Sequence, residues 1–417
     1  MVLQAFIFMV SRLDVLLLAG LFPGSASRDI LRRLQKKSVA YDSLYKLLKK
    51  LESENLVRKQ DSAYFLADNS KARRLFWLVN FCFANSIDYN IVVSGKTAEF
   101  VRMGLERGAI RGLPFDAKTV RKIVSVLSKK GFAVVESRKP FACRIVYSIF
   151  LERLVEFFSK KPKVLHKSLP DILDKGTVDG QLEKEFSAYR KLAKRRLEFD
   201  EIEFIHSSLS LEGNTLTLPE TEKVIEQNVP PASKPFKDTQ EVLDYKKALD
   251  DFVFSGGELA LESILEFHHT AMNSMPAGAG RIRRQNVQIK GNPEFRTPDW
   301  REVPSFLKEF FAKSNAFGQE KKLSTSRIVE QAAFLHSEFQ RIHPFVDGNS
   351  RTARAIFIKV LLDKGFPLVK IPIGFFDQYM GLTKLSEKRD DPKFALLMKQ
   401  IVLENLRSAR KKIEYAE

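Results

Sequence analysis

The feature that most constrains this chain is the string HPFVDGNSRTAR at residues 343–354, set between two apolar ladders of helical period. Ile328, Ala332, Leu335, Phe339 and Ile342 recur at spacings of three and four, one face of a helix that Pro344 cannot continue. Gly348 permits backbone angles that a Cβ would forbid, and Ala355, Ile356, Ile358, Val360 and Leu361 open a second apolar run. The spacing predicts helix, tight loop, helix N-terminus. His343 can take a proton near neutral pH, and Asp347 can hold a hard cation through oxygen. Arg351 and Arg354, three apart, can reach the same polyphosphate. The N–H groups and dipole at the start of the second helix favour an anion by roughly 0.3–1 kcal/mol even when exposed. The pattern points to a phosphate-handling site.

The loop resembles the Fic signature, H-x-F-x-[DE]-G-N-G-R-x-x-R, at His343, Phe345, Asp347, Gly348, Asn349, Arg351 and Arg354. Ser350 departs from it, standing where the family usually has a second glycine, and its side chain would either crowd a phosphate or donate to it. The resemblance implies that His343 deprotonates a Ser, Thr or Tyr hydroxyl of a target protein, which attacks the α-phosphate of ATP and acquires AMP. It implies Mg²⁺ on Asp347, and nucleotide binding by Gly348, Asn349, Ser350, Arg351 and Arg354, with Arg354 on the terminal phosphate. Tyr379 sits like a tyrosine found downstream of many Fic loops, either flanking the adenine or as an ordinary core or surface residue.

Two further segments resemble parts of the same family. SSLSLEGN at 207–214 is similar to the Fic inhibitory pattern [ST]-x-x-x-E-[GN], with Ser208 and Glu212 in its fixed places, followed by Gly213 and Asn214. The resemblance implies that Glu212 pairs with Arg354 and keeps the nucleotide from seating productively. GRIRRQNVQIKGN at 280–292, with Val287 and Ile289 alternating with Gln288, resembles the Fic flap, a β-hairpin edge beside the active site. Arg283, Val287, Gln288 and Ile289 would there align an extended target segment through main-chain bonds.

Charge divides the chain. Residues 1–200 hold 38 basic and 21 acidic side chains, a net of +17, whereas residues 201–417 hold 31 and 30. The basic excess therefore lies in the half without the catalytic string, which suggests a second function. Residues 1–70 read as three helices and a short strand, resembling a winged-helix DNA-binding domain. Its third helix buries Leu44, Leu47, Leu48 and Leu51 and exposes Lys46, Lys49 and Lys50. Residues 71–160 repeat the plan of basic helix and strands at 116–149, a second winged helix or another basic α+β domain. A Lys-, Pro- and Gly-rich stretch at 161–190 reads as a linker, and residues 191–417 as the Fic domain, with an inhibitory helix at about 200–214.

Composition excludes other classes. The 44% hydrophobic content supports globular domains, and Cys82 and Cys143 form neither a disulfide framework nor a zinc pattern. The apolar start imitates a signal peptide, but Asp14 interrupts the run and no basic n-region precedes it. SGK at 94–96 lacks the spacing of a phosphate-binding loop. His206, His268, His269 and His336 have no ligand spacing and read as packed or surface residues. The sequence thus predicts a mainly α protein with one or two winged helices before the Fic domain. Its expected function is a cytoplasmic, non-membrane protein adenylyltransferase using ATP and Mg²⁺, autoinhibited through Glu212, touching DNA through residues 1–160 and compatible with a homodimer. Two alternatives stay open: a DNA-binding regulator whose Fic half senses nucleotide, and transfer of another phosphate-containing group.

Overall fold

Short polar residues open many of the helices. In the computed structural model, which describes residues 10–34, 39–159, 167–192, 199–232, 234–254, 258–274, 278–289, 292–320, 322–384 and 389–416, Ser11 caps the first helix. Its hydroxyl accepts from the Asp14 amide at 3.3 Å, and Asp14 accepts back from the Ser11 amide at 2.7 Å. Thr217 and Glu220 repeat the device farther on.

The described residues divide into two units, at 1–166 and 167–417. The first unit holds α1 (Arg12–Leu21), β1 (Ser25–Ala26), α2 (Ser27–Arg33), α3 (Tyr41–Ser53), β2 (Val57–Gln60) and β3 (Ala63–Leu66). After them come α4 (Ser70–Ala84), α5 (Tyr89–Val92), α6 (Gly95–Arg107), β4 (Ile110–Arg111), α7 (Ala117–Lys129), β5 (Ala133–Arg138), β6 (Phe141–Ile145) and α8 (Ile149–Phe158). Its strands form two antiparallel sheets of the same order, β1-β3-β2 and β4-β6-β5. In each, a short strand pairs with the second arm of a hairpin that follows a basic helix. Leu44, Leu48 and Leu51 are buried on α3, while Tyr41, Tyr45, Lys46, Lys49 and Lys50 are exposed.

Among the described residues the regular elements of the second unit are helices: α9 (Leu169–Ile172), α10 (Lys175–Leu192), α11 (Phe199–Ser210), α12 (Leu218–Gln227), α13 (Phe236–Leu249), α14 (Leu261–Ala271) and α15 (Val303–Gln319), then α16 (Thr325–Ile342), α17 (Asn349–Asp363), α18 (Phe376–Thr383) and α19 (Asp391–Ala416). The linker expected at 161–190 is corrected from residue 169 onward. Val178, Leu182, Phe186 and Tyr189 form a buried helical ladder, and Phe186 stacks on Phe366 at 4.0 Å. Lys399, 1% exposed on α19, is held between Asp179 at 2.7 Å and Glu330 at 2.6 Å, so α10 is stitched into the bundle. Residues 161–166 of that expected linker lie outside the described residues, as do 193–198, ahead of the expected inhibitory helix, and 1–9 of the apolar start.

The expected β-hairpin flap is also corrected: residues 281–289 carry no strand, and Lys290 and Gly291 lie outside the described residues. Side chains replace the ladder. Thr297 Oγ1 donates to the Val287 carbonyl at 2.9 Å, and Asn286 accepts from the Trp300 amide at 2.9 Å. Among the described residues no helix is long and apolar enough to cross a membrane.

Candidate active site

The last turn of α16 delivers His343 in the left-handed region, φ 49° and ψ 57°, which reverses the chain into the loop. Its Nδ1 lies 3.2 Å from the Gln340 carbonyl, and since a carbonyl only accepts, Nδ1 carries the hydrogen and Nε2 keeps a lone pair. Burial pulls the imidazole down to about 4; the Gln340 carbonyl favours the charged form and Arg283 opposes it. His343 is therefore neutral at neutral pH and able to accept a proton.

A second histidine shapes the loop from outside. His268, buried on α14, stacks on Phe345 with ring centroids 3.6 Å apart and planes 14° from parallel. Its Nδ1 accepts from the Gly280 amide at 2.8 Å, which leaves Nε2 to donate to the Asp347 carbonyl at 2.9 Å. Gly348 follows at φ +79°, and a Cβ there would fall 2.8 Å from Met272 Sδ and 2.9 Å from His268 Nε2. Only glycine fits.

Asn349, expected to hold nucleotide, instead braces the loop. It is 2% exposed, accepts from the Phe345 amide at 3.0 Å and donates to the Phe345 carbonyl at 2.9 Å. Arg351, expected at the phosphates, is buried against Glu241 of α13, with Asp347 at 3.6 Å on its other side. Its Nε is buried with no hydrogen-bond partner among the described residues. Both departures share a cause: polar groups enclosed by α13 and α17 need local partners. Ser350 accepts from Gln340 at 3.1 Å, so its hydroxyl is tied to the residue that orients His343.

Arg354 projects from α17 toward the end of α11. It donates through Nη2 to Glu212 at 2.7 Å and to the Ser208 carbonyl at 3.0 Å, and through Nε to the Ser208 hydroxyl at 2.7 Å. Ser208 in turn lies 2.9 Å from the Tyr245 hydroxyl. The structure therefore brings Ser208, Glu212 and Arg354 together. Of the two positions expected for Tyr379, it takes the core one: it is buried at 1% exposure, its hydroxyl 2.7 Å from Nε2 of His336.

Arg283 is corrected as well. It is buried, donating from Nε to the His343 carbonyl at 2.8 Å, from Nη1 to Gln285 at 3.0 Å and from Nη2 to Pro298 at 2.7 Å, while its amide donates to Pro344 at 2.9 Å. It joins the 281–289 segment to the 343–354 loop, with its guanidinium and its amide both bonded within the fold. Val287 and Ile289 are half-buried and Gln288 is exposed.

Asp347 points a carboxylate outward, its side chain 63% exposed. One carboxylate completed by phosphate oxygens is a usual Mg²⁺ arrangement, so the residue fits that ion. Among the described residues no group of three or more His, Cys, Asp and Glu gathers as a protein-only site.

Sequence reasoning missed His268 and Glu241. A signal existed: His268 continues the apolar ladder Ile264, Phe267, Ala271, and Glu241 continues Tyr245 and Ala248. A polar residue inside a buried ladder must have a partner there.

Residues 258–361 match the sequence model of the Fic/DOC family. The chain carries a Fic/DOC domain. Among curated proteins, the protein adenylyltransferase Fic of Drosophila erecta is 29% identical over 210 residues, covering 49% of this chain and 40% of that protein. The chain thus spans about two fifths of the length of that relative. Among solved structures, a Fic-domain-containing signaling protein from Bacteroides thetaiotaomicron superposes with a TM-score of 0.51 at 21% identity, over 56% of this chain and 98% of that one. Fic-1 from C. elegans gives 0.50 at 21% identity, over 58% and 74%. At these identities the likeness concerns the fold; the residues that match the family model, 258–361, lie in the helical second unit.

Proposed function

We propose that this chain transfers AMP from ATP to a hydroxyl of a protein and is held in check by its own Glu212. The observation that carries the reading is His343: buried, neutral and committed at Nδ1 to Gln340, it offers Nε2 beside the N-terminus of α17. In the transfer step the target oxygen bonds to the α-phosphorus of ATP, the bond from that phosphorus to the bridging oxygen of the β-phosphate breaks, and pyrophosphate leaves. The hydroxyl proton passes to Nε2. A base so placed contributes roughly 10²- to 10⁴-fold.

Asp347 would hold Mg²⁺, whose bound charge offsets that of the phosphates. The first turn of α17 supplies backbone N–H groups for the same anion. Arg354 serves the terminal phosphate once released from Glu212, and Ser350 borders that cradle. The ion pair of Arg354 with Glu212 puts a carboxylate where a phosphate would go, which supports autoinhibition.

The test is incubation of wild type, Glu212→Gly and Glu212→Gly/His343→Ala with α-labelled ATP and Mg²⁺. Label on the protein only in Glu212→Gly is expected. No label in any variant, with ATP binding intact, would favour a nucleotide-sensing regulator, and label only from γ-labelled ATP would point to phosphate transfer.

A second role is supported by the first unit, which we read as tandem winged-helix-like modules that contact DNA. Tyr41 and Tyr45, 48% and 44% exposed, stand with Lys46, Lys49 and Lys50 on the outer face of α3, and Lys118, Arg121 and Lys122 are exposed on α7. Fluorescence anisotropy with labelled duplex DNA should show binding that weakens linearly in log salt. Binding unaffected by Lys49→Glu/Lys50→Glu would remove α3 from the interface.

A further inference from the structure

Glu212 meets Arg354 from a turn that is anchored elsewhere. The turn closes through Glu212 N on Leu209 O at 3.0 Å, Gly213 N on Ser210 O at 3.2 Å and Asn214 N on Leu209 O at 3.1 Å. None of these bonds fixes its distance from the catalytic loop. Side chains do that.

Asn214 Oδ1 accepts from the Leu216 amide at 3.0 Å, so its Nδ2 is directed away, toward α13. There it donates to the Asp238 carbonyl at 3.0 Å and to Oε2 of Glu241 at 2.8 Å. Asp238 also accepts from the Thr215 amide at 3.0 Å, which ties the turn to the start of α13. Glu241 carries the tie across to α17, because its Oε1 accepts from Nη1 of Arg351. Both partners are almost wholly enclosed, Glu241 at 7% and Arg351 at 2% exposure, so water competes little for these bonds.

Resting on the adenylyltransferase reading above, we propose that Glu241 is a positioning residue that holds the turn bearing Glu212 against the catalytic loop, with one carboxylate oxygen on Arg351 and the other on Asn214. Glu212 then faces Arg354 because the turn is clamped as well as because the two charges attract. The two arginines of the loop are engaged together, Arg354 directly and Arg351 through Glu241 and Asn214. Release of the turn would disengage both ends of this arrangement.

Two substitutions cut the clamp differently. Asn214→Ala removes the amide. Glu241→Gln can still accept from Arg351, but it then presents an NH₂ to the NH₂ of Asn214, donor against donor. If the clamp is one unit, the two variants should act alike and fail to add.

Hydrogen–deuterium exchange of the full chain reads this without reference to activity. Each variant should speed exchange of the amides at 212–214 by about tenfold or more, the double variant no further, with α19 unchanged. No change at 212–214, or an equal change across α19, overturns the proposal. With α-labelled ATP, Asn214→Ala should raise labelling several-fold over wild type, yet change it less than about twofold when added to Glu212→Gly, which has no inhibitory carboxylate left to place. A loss of labelling in that second background would mark a general structural role and also overturn it. If Glu212→Gly itself takes no label, the adenylyltransferase reading fails, and the exchange measurement still decides the position of the turn.

Discussion

Ser208 accepts from Nε of Arg354 at 2.7 Å although 146 residues separate them in sequence. The bond makes Ser208 more than a helix residue ahead of Glu212: it fixes the plane of the guanidinium, so that Nη2 faces the carboxylate.

Ser208→Ala leaves a buried donor on Arg354 unpaired, which costs about 1–3 kcal/mol in denaturant unfolding. Labelling from α-labelled ATP should rise above wild type but stay below Glu212→Gly, because Glu212 remains. Labelling equal to wild type would show that the serine does not set the inhibited geometry.

On the proposed transfer, the neutral form of His343 is the base. Its folded value is lowered to about 4, so labelling of Glu212→Gly should stay level as pH falls from 8 to about 5 and decline only near 4. An acid limb centred at the ordinary histidine value of about 6.5 would contradict the burial of this ring.

Stability should fall on the acid side. His268, His336 and His343 sit at about 4, 3 and 4 in the fold, each lowered first by burial, and return to about 6.5 when unfolded. Between those values the unfolded chain binds more protons, so the unfolding free energy decreases as pH drops below about 6.5, by up to about 1.4 kcal/mol per pH unit for each ring. His336→Leu should make that slope shallower by up to one proton in denaturant titrations at pH 5 and 7. An unchanged slope would mean that the ring is charged in the fold.

Asn349→Ala removes both bonds to the Phe345 backbone and leaves two enclosed polar groups unpaired. A loss of about 1–3 kcal/mol per group is expected in unfolding experiments. The loop that presents His343 would shift, and a misplacement of about 1 Å can cost on the order of 100-fold in rate. Full labelling by Glu212→Gly/Asn349→Ala would exclude this bracing role.

The helix–loop–helix around 343–354 was legible because period, Pro344 and Gly348 agree on it, and the Glu212–Arg354 encounter because a motif names both residues. The roles inside the loop were less legible. A motif states which residue types recur, while burial decides whether Asn349 and Arg351 face a ligand or the protein. The stretch at 161–190 was misread from 169 onward because Lys175, Gly176, Gly180 and Lys184 on the outer face of α10 mask a sparse buried ladder. At 281–289 the alternation of three residues suggested a strand, yet the partners turned out to be the side chains of Thr297 and Asn286.

Arg283 grips only carbonyl oxygens, those of His343, Gln285 and Pro298. Every amino acid carries such an oxygen, so the brace is blind to the identity of the residues it touches. Arg284, Gln285 and Gln288 stand exposed beside it. The exposed side chains around the brace can therefore be rewritten one letter at a time across generations while the loop beneath keeps its shape.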